Sequence, residues 1–593
     1  MRTGGTEGTE RTRGSGTTVR TGGAEPAGTI AALLAARAGD DRIGLVAGDR
    51  SWTWDEVVRE SRARAAIALA HRPVDPSTPF HIGVLLPNVP EYLFWLGGAA
   101  LAGAVAVGIN PTRRGTDLAR DIAFTCCHLV VTDGDGAALI DGLETGVPPG
   151  RVLRVDRPVA APAPAAEPGG GPTPEPAPDD LYLLLFTSGT TSAPKAVRCT
   201  QGRLAEIAAR AGQYYGFVAE DVCYCPMPLF HGNAIMALWA PALAAGARIA
   251  LTPRFSASGF ADDVRRYGAT RFTYVGRALA YVLATDERPD DAETPLRFGF
   301  GTEASARDRA EFERRFGCTL VEGYGSSEGG LAINRTPDTP PGALGRATDD
   351  VVAVDPETGE VCLRARIGPG GAVENPEEAI GELVNRSGPG RFEGYWRHPE
   401  AEAARVRNGW YWTGDLGYVD EDGFVWFAGR TDDWLRVDSE NIAAAPVERI
   451  LERHPDVVAA AVYAVPDPRT GDQVMAALEL RPGTDPTSFA TEPDGSTAGL
   501  GAFLAGQDDL GTKWAPRFVR VTQTMPLTAT GKITKAPLRA EGWRCGDPVF
   551  IRDGSELAYR PLTPADTAAL DAEARDHDRL AHDRLAHDRR GRS

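Results

Sequence analysis

Leu181-Tyr-Leu-Leu-Leu-Phe186, followed at once by Thr187-Ser-Gly-Thr-Thr-Ser-Ala-Pro-Lys195, decides how this chain folds. Six apolar residues are too few for a buried helix and suit a strand covered on both faces, the kind that parallel sheets use. In the nine residues after it, five side chains bear hydroxyls, one residue is glycine and the sole charge is Lys195. Small side chains leave backbone N–H groups free to approach a phosphate, and the hydroxyls add donors. It is not a Walker A loop, because Pro194 precedes the lysine and Ala196 follows it.

Working outward, helical patterns alternate with short strands between 34 and 132 and again between 204 and 300. His81–Leu86, Leu129–Thr132 and Arg248–Thr252 are the strands expected, an α/β signature. Tyr92–Ile109 lacks charge and has the minimum length of a membrane span, but Gly97, Gly98, Gly103 and Gly108 interrupt it. A buried helix leading into a core strand is expected there. The Pro/Ala/Gly-rich stretch 158–180 cannot bury enough apolar surface to order itself and reads as a linker or surface loop.

Beyond about 380 the texture changes to short aromatic-rich strands and Gly-Asp or Asp-Gly turns. A helix over Ala445–Arg453 and strands over Val457–Val465 and Phe518–Val521 then outline a smaller α+β unit, with a boundary near 430. The expected division is a disordered tail 1–26, a large domain 27–430, a small domain 431–562 and a charged tail 563–593. His577, His582 and His587 in that tail invite a metal reading. A five-residue period rotates successive helical positions by roughly 140°, so they share no face, and a solvated tail is expected.

Composition closes off other classes. The 593 residues are 42% hydrophobic and 24% charged, a globular mix. A net charge of -18 is the wrong sign for a nucleic-acid coat or a binder of anionic membranes, so an anionic ligand must be gripped locally. The 8 cysteines form no C-x-x-C pair, and no apolar leader precedes the fold; reduced thiols and a cytoplasmic location are expected.

Further stretches stand downstream of the hydroxyl-rich loop: Pro228-Leu-Phe-His231-Gly-Asn, Gly323-Tyr-Gly-Ser-Ser-Glu328, Tyr411-Trp-Thr-Gly-Asp415, Gly429-Arg-Thr-Asp432 and Pro526-Leu-Thr-Ala-Thr-Gly-Lys532. In this order they resemble the adenylate-forming superfamily of acyl-CoA synthetases, peptide-synthetase adenylation domains and luciferases. The resemblance extends from about Thr29 to Val549. It implies an α/β fold: a large N-terminal domain of stacked α/β subdomains carrying the AMP site, plus a small mobile C-terminal α+β lid. ATP, Mg²⁺ and CoA are the cofactors it implies.

Residue by residue, the resemblance assigns Thr187, Ser188, Gly189, Thr190, Thr191 and Lys195 to the β- and γ-phosphates. Tyr324 goes against the adenine, Ser327 near the α-phosphate and Glu328 to Mg²⁺, a cation suited to hard oxygen. Asp415 matches the acceptor of the ribose hydroxyls and Arg430 a donor beside it, while Gly301, Thr302 and Gly325 fall on the nucleotide side. Lys532 matches the lysine that neutralises charge as the substrate carboxylate attacks phosphorus. His231 matches the residue lining the acyl tunnel, Asp432 the hinge, and Arg436 and Ser439 the hairpin facing the thiol.

Arg254–Phe260 and Tyr267–Gly276, with Gly108–Gly115 and Ser439–Ile442, look like the fatty-acid-transport and very-long-chain acyl-CoA synthetase branch. They imply a fatty acid substrate. The chain departs from the family pattern at Ser192, Ala196, Glu303 and Ser439, each where glycine is usual. The side chain at Glu303 leaves an altered acyl or nucleotide contact open, and Ser439 puts the CoA step in doubt. Transfer to a carrier-protein thiol, a carnitine- or aryl-type ligase, a non-catalytic binder, an acyl carrier protein partner and peripheral membrane association stay open.

Two motifs mislead. Gly325-Ser-Ser327-Glu-Gly329 fits a hydrolase nucleophile elbow, but the prolines from Pro337 onward deny the helix that must follow. Gly299-Phe-Gly301-Thr-Glu-Ala304 loosely fits a dinucleotide fingerprint, yet its strand is short and carries Arg297.

Overall fold

The apolar run Leu181–Phe186 forms a strand in a six-stranded sheet, with its four central residues buried. Val105–Gly108 lies parallel on one side, and Ala196–Thr200 returns antiparallel on the other. The reading of a doubly buried strand holds, while parallel pairing applies to one flank. Val152–Arg154, Leu129–Thr132 and His81–Leu85 complete this sheet, all in parallel.

The computed structural model describes residues 28–73, 78–157, 175–187, 195–368, 372–430, 434–437, 440–467, 471–490, 499–511, 514–528, 531–552, 554 and 556–571; side chains at 434, 436, 440–442 and 471 are outside the description. The expected N-terminal tail, all but the end of the 158–180 stretch, and the three tail histidines lie outside the described residues.

A second, eight-stranded sheet runs in the order Ala332–Asn334, Thr319–Gly325, Phe298–Thr302, Arg271–Val275, Val222–Cys225, Arg248–Leu251, Ile43–Ala47, Arg50–Thr53. Its inner strands are parallel and both edges are antiparallel. Helices connect the parallel strands, as such crossovers require. Trp54–Ala70 starts from a capping box in which Thr53 and Glu56 satisfy each other's backbone N–H. Pro90–Leu101 is buried from Tyr92 through Ala100, which accounts for its lack of charge. Among the described residues, no helix is long and apolar enough to cross a membrane.

The third sheet is antiparallel throughout: Gly345–Arg346, Phe424–Arg430, Trp410–Val419, Gly381–Asn385 and Val351–Val354, with Val406–Arg407 beside Trp410–Val419. The Asp-Gly turn foreseen there is real, with Asp420 accepting the Phe424 N–H at 2.8 Å and the Trp426 indole N–H at 2.8 Å. The large lobe thus stacks two α/β layers and adds this β unit.

The C-terminal lobe is a sheet centred on the long hairpin Val457–Asp467 and Gly471–Leu480, with Phe518–Thr522 parallel to the latter. Alternate residues of its first strand feed two cores: Ala460 and Val462 on one face, Ala459, Ala461, Tyr463 and Val465 on the other. The lobe extends beyond the boundary expected at 562. Residues 564–571 are helical, Leu570 packs on the second core, and Asp571 pairs with Arg544 at 2.6 Å. The charged tail therefore begins later than 563.

Candidate functional site

The stems of the hydroxyl-rich loop are pinned together: Phe186 lies opposite Ala196, and the Thr187 N–H donates to the Lys195 carbonyl at 3.1 Å. Ser188, Gly189, Thr190 and Thr191 lie outside the described residues, as does Ser192. Ala196 is fully buried in the returning strand, so its departure from glycine is a matter of packing. That strand ends in Thr200, whose side chain caps the helix Gln201–Tyr215. Arg203 in the first turn sends one guanidinium nitrogen to the Arg198 carbonyl at 2.8 Å and another to the Ser327 carbonyl at 2.6 Å. The loop's scaffold and the Ser327 turn are thereby tied.

Ser327 and Glu328 follow the strand Thr319–Gly325. Glu328 is 7% exposed, and the Tyr395 phenol donates to its Oε1 at 3.1 Å, while Arg405 donates to the Tyr395 oxygen at 3.3 Å. Among the described residues no group of three or more His, Cys, Asp or Glu could cage a metal. Glu328 is one hard oxygen donor in a buried setting, which fits a Mg²⁺ ion sharing its shell with phosphates and water.

Tyr324 donates its phenol to Asp415 Oδ2 at 2.7 Å. Asp415 stands opposite Arg430 in the third sheet, and the Arg430 Nε lies 3.6 Å from its Oδ1. Burial pushes the Asp415 acid up, against the pull of Arg430 and the Tyr324 hydrogen bond. Gly301 pairs with Tyr274 and Glu322, Thr302 ends its strand opposite Val275, and Gly325 faces Ala332. All three therefore border the Tyr324 side.

His231 caps the short helix Gly232–Ala234, its Nδ1 accepting the Asn233 N–H at 3.4 Å. The chain continues as a π-helical turn over Ile235–Trp239, a distortion that recurs at functional sites. A Cβ at Gly232 would lie 2.5 Å from the Ser327 hydroxyl, so glycine there lets the two segments touch. Burial first, and then the charge of Lys532, lower the His231 pKa to about 4, so its imidazole is neutral at pH 7.

Lys532 sits on a tight turn in which Thr528 and Lys532 exchange hydrogen bonds. Its ammonium faces the large lobe and lies 2.6 Å from Glu303 Oε1. Desolvation pushes the Glu303 acid up, but Lys532, with Arg430 and Arg277 behind it, more than offsets this and holds it below the ordinary value. Lys532, Glu303 and Glu328 all act on His231, which makes one cleft of them.

Family models agree with this layout. One described as AMP-binding enzyme matches residues 34–396, and one described as AMP-binding enzyme C-terminal domain matches residues 446–532. The chain belongs to the AMP-binding enzyme family. Within that family it is similar to the steroid-22-oyl-CoA synthetase of Rhodococcus jostii, 56% identical over 92% of this chain and 97% of that protein. It is also similar to the medium/long-chain-fatty-acid CoA ligase FadD17 of Mycobacterium marinum, 45% identical over 89% and 99%. Among solved structures, ATP-bound MatB from Rhodopseudomonas palustris aligns with a TM-score of 0.70 at 25% identity, covering 86% of this chain and 98% of that one. The anthranilate CoA ligase AuaEII with anthranoyl-AMP aligns at 0.72 and 21% identity over 87% and 98%, a likeness of fold. The two-lobed α/β fold and the class expected from the motifs, an AMP-forming acid–thiol ligase, stand with these relatives.

Within this AMP-binding enzyme, Asp432 and Ser439 lie outside the described residues; Arg436 belongs to the strand Trp434–Val437, its side chain outside the description. The motifs did not reveal Arg203, Tyr395 or Arg405. Arg203 meets Ser327 across 124 residues, and no local spacing announces such a contact. Nor did they reveal the clasp between the lobes, in which Arg277 donates to the Ala460 carbonyl at 3.1 Å and Arg307 to the carbonyls of Glu452, His454 and Pro455.

Proposed function

We propose that this cleft joins a carboxylic acid with a large apolar body to the α-phosphate of ATP, releasing pyrophosphate, and then passes the acyl group to the thiol of CoA. The observation that carries the reading is the Lys532 ammonium, presented by the small lobe to a cleft whose far wall holds Tyr324, Asp415 and Arg430. A preorganised cation there offsets charge that builds as the carboxylate attacks phosphorus. Asp415 and Arg430 take the ribose, the loop 187–195 takes the β- and γ-phosphates, and Ser327 stands beside the α-phosphate. Glu328 would hold Mg²⁺, which when bound neutralises phosphate charge. His231, neutral, lines the acyl entrance with Phe230 and Met236 behind it.

A medium- or long-chain fatty acid is the substrate class proposed, supported by the FadD17 relatives. The 56% identical steroid-22-oyl-CoA synthetase favours a second reading, the side-chain acid of a steroid. All eight cysteines are free thiols, which fits the reducing cytoplasm.

The test is a panel of fatty and steroid acids assayed for pyrophosphate release, with CoA, with a phosphopantetheinyl carrier protein and with neither. Lys532→Ala is expected to lower acyl-AMP formation by about a hundredfold to a thousandfold. Wild-type rates of acyl-AMP formation in that variant would defeat the mechanism.

A further inference from the structure

Glu303 breaks a local rule. It follows the strand Phe298–Thr302 and holds a φ of +69°, a left-handed conformation that costs a branched or long side chain energy and that glycine adopts freely. Strain of this kind persists where neighbours over-determine it, and it gathers at working sites. Two neighbours fix it here. A Cβ at Gly276 would fall 2.0 Å from the Glu303 carbonyl oxygen, so the chain opposite closes tightly on this peptide. The next N–H, of Ala304, donates to Glu322 Oε1 at 2.8 Å.

The side chain on this strained backbone crosses between lobes. It meets Lys532, 229 residues away, at 2.6 Å. Its carboxylate therefore occupies the ammonium that, on the function proposed above, must reach the substrate carboxylate and the α-phosphate. The Glu303 side chain is 52% exposed and that of Lys532 26% exposed. Water reaches the pair, and exposed ion pairs are weak. A substrate anion can thus take over the ammonium without rearranging the core.

We infer that Glu303 is a positioning residue: it berths Lys532, and with it the C-terminal lobe, in the orientation that serves adenylation, and releases the ammonium when the substrate anions arrive. This rests on the reading of Lys532 as the adenylation lysine. Glu303 touches neither substrate nor nucleotide in this scheme and acts through Lys532.

The test uses the full chain with Glu303→Gln, which keeps shape and loses charge, Glu303→Asp, which keeps charge, and Glu303→Gly, which suits the backbone and guards against misfolding. Lysine acetylation with acetic anhydride, read by mass spectrometry on the enzyme without substrates, reports access to Lys532. Single-turnover pyrophosphate release reports adenylation, and supplied acyl-AMP with CoA reports the thioester step alone. In the Gln and Gly variants, Lys532 acetylation should rise and adenylation kcat should fall, each by about twofold to fivefold. Thioester formation from supplied acyl-AMP should hold or rise, and Glu303→Asp should restore part of the adenylation rate. Unchanged acetylation, or adenylation as fast as wild type in the Gln and Gly variants, would overturn the inference. If Lys532→Ala abolishes adenylation while the Glu303 variants change nothing, the berth alone fails; if Lys532→Ala is active, the reading beneath it fails.

Discussion

Asp415 holds two contacts on one carboxyl, the Tyr324 phenol on Oδ2 and Arg430 beside Oδ1. A donor to the charged form lowers an acid's pKa, so removing it must raise one that burial has already pushed up. Tyr324→Phe should therefore raise the KM for ATP by about tenfold and move the acid limb of kcat/KM for ATP to higher pH. Steady-state kinetics over a pH series that follows the acid limb check this; an unshifted limb would detach Tyr324 from Asp415. The motif located both residues but not the bond joining them, because a hydrogen bond spanning 91 positions leaves no trace in local spacing. The same blindness hid the Glu303–Lys532 contact: glycine's absence at 303 was visible, its partner was not.

Among the elements, Leu181–Phe186 was legible because a six-residue apolar run bounded by a polar loop admits few alternatives. Its antiparallel partner Ala196–Thr200 was not, since Arg198 and the hydroxyls mask the pattern. Pro90–Leu101 and Val105–Gly108 were legible for the converse reason, glycines dividing an apolar stretch too broken to span a bilayer. The helix Gln201–Tyr215 joins two distant parts of the site through Arg203, 6% exposed. Arg203→Met keeps the bulk and strands the carbonyls of Arg198 and Ser327. Such a loss costs about 2 kcal/mol, and urea unfolding should show it. Adenylation should fall as well, because Ser327 loses its brace; a variant with wild-type stability and rate would show that the tie does nothing.

For the whole molecule, a large and a small lobe were legible in a change of texture, whereas the order of strands in the four sheets was not, since pairing is decided by packing at long range. Global acid sensitivity can be reasoned from burial. His81, hydrogen-bonded to the Thr125 carbonyl, has its pKa lowered to about 4, chiefly by burial. Unfolded, it would protonate near the ordinary histidine value of 6.5, so as pH falls from there to about 4 the unfolded chain binds a proton that the native chain refuses. The native state must lose stability across that window, by about 3 kcal/mol at its acid end, and keep it above. His81→Phe should flatten the fall in Tm between those limits; an equal fall in both proteins would assign the acid sensitivity elsewhere.

The clasp between lobes runs from Arg277 and Arg307 to main-chain oxygens of Glu452, His454, Pro455 and Ala460. Every amino acid carries the same carbonyl. The joint therefore asks little of the side chain at Pro455, whereas Glu452 also lends its carboxylate to Arg277 at 2.5 Å, so the burden of preserving the grip falls on two arginines of the larger lobe and one glutamate of the smaller.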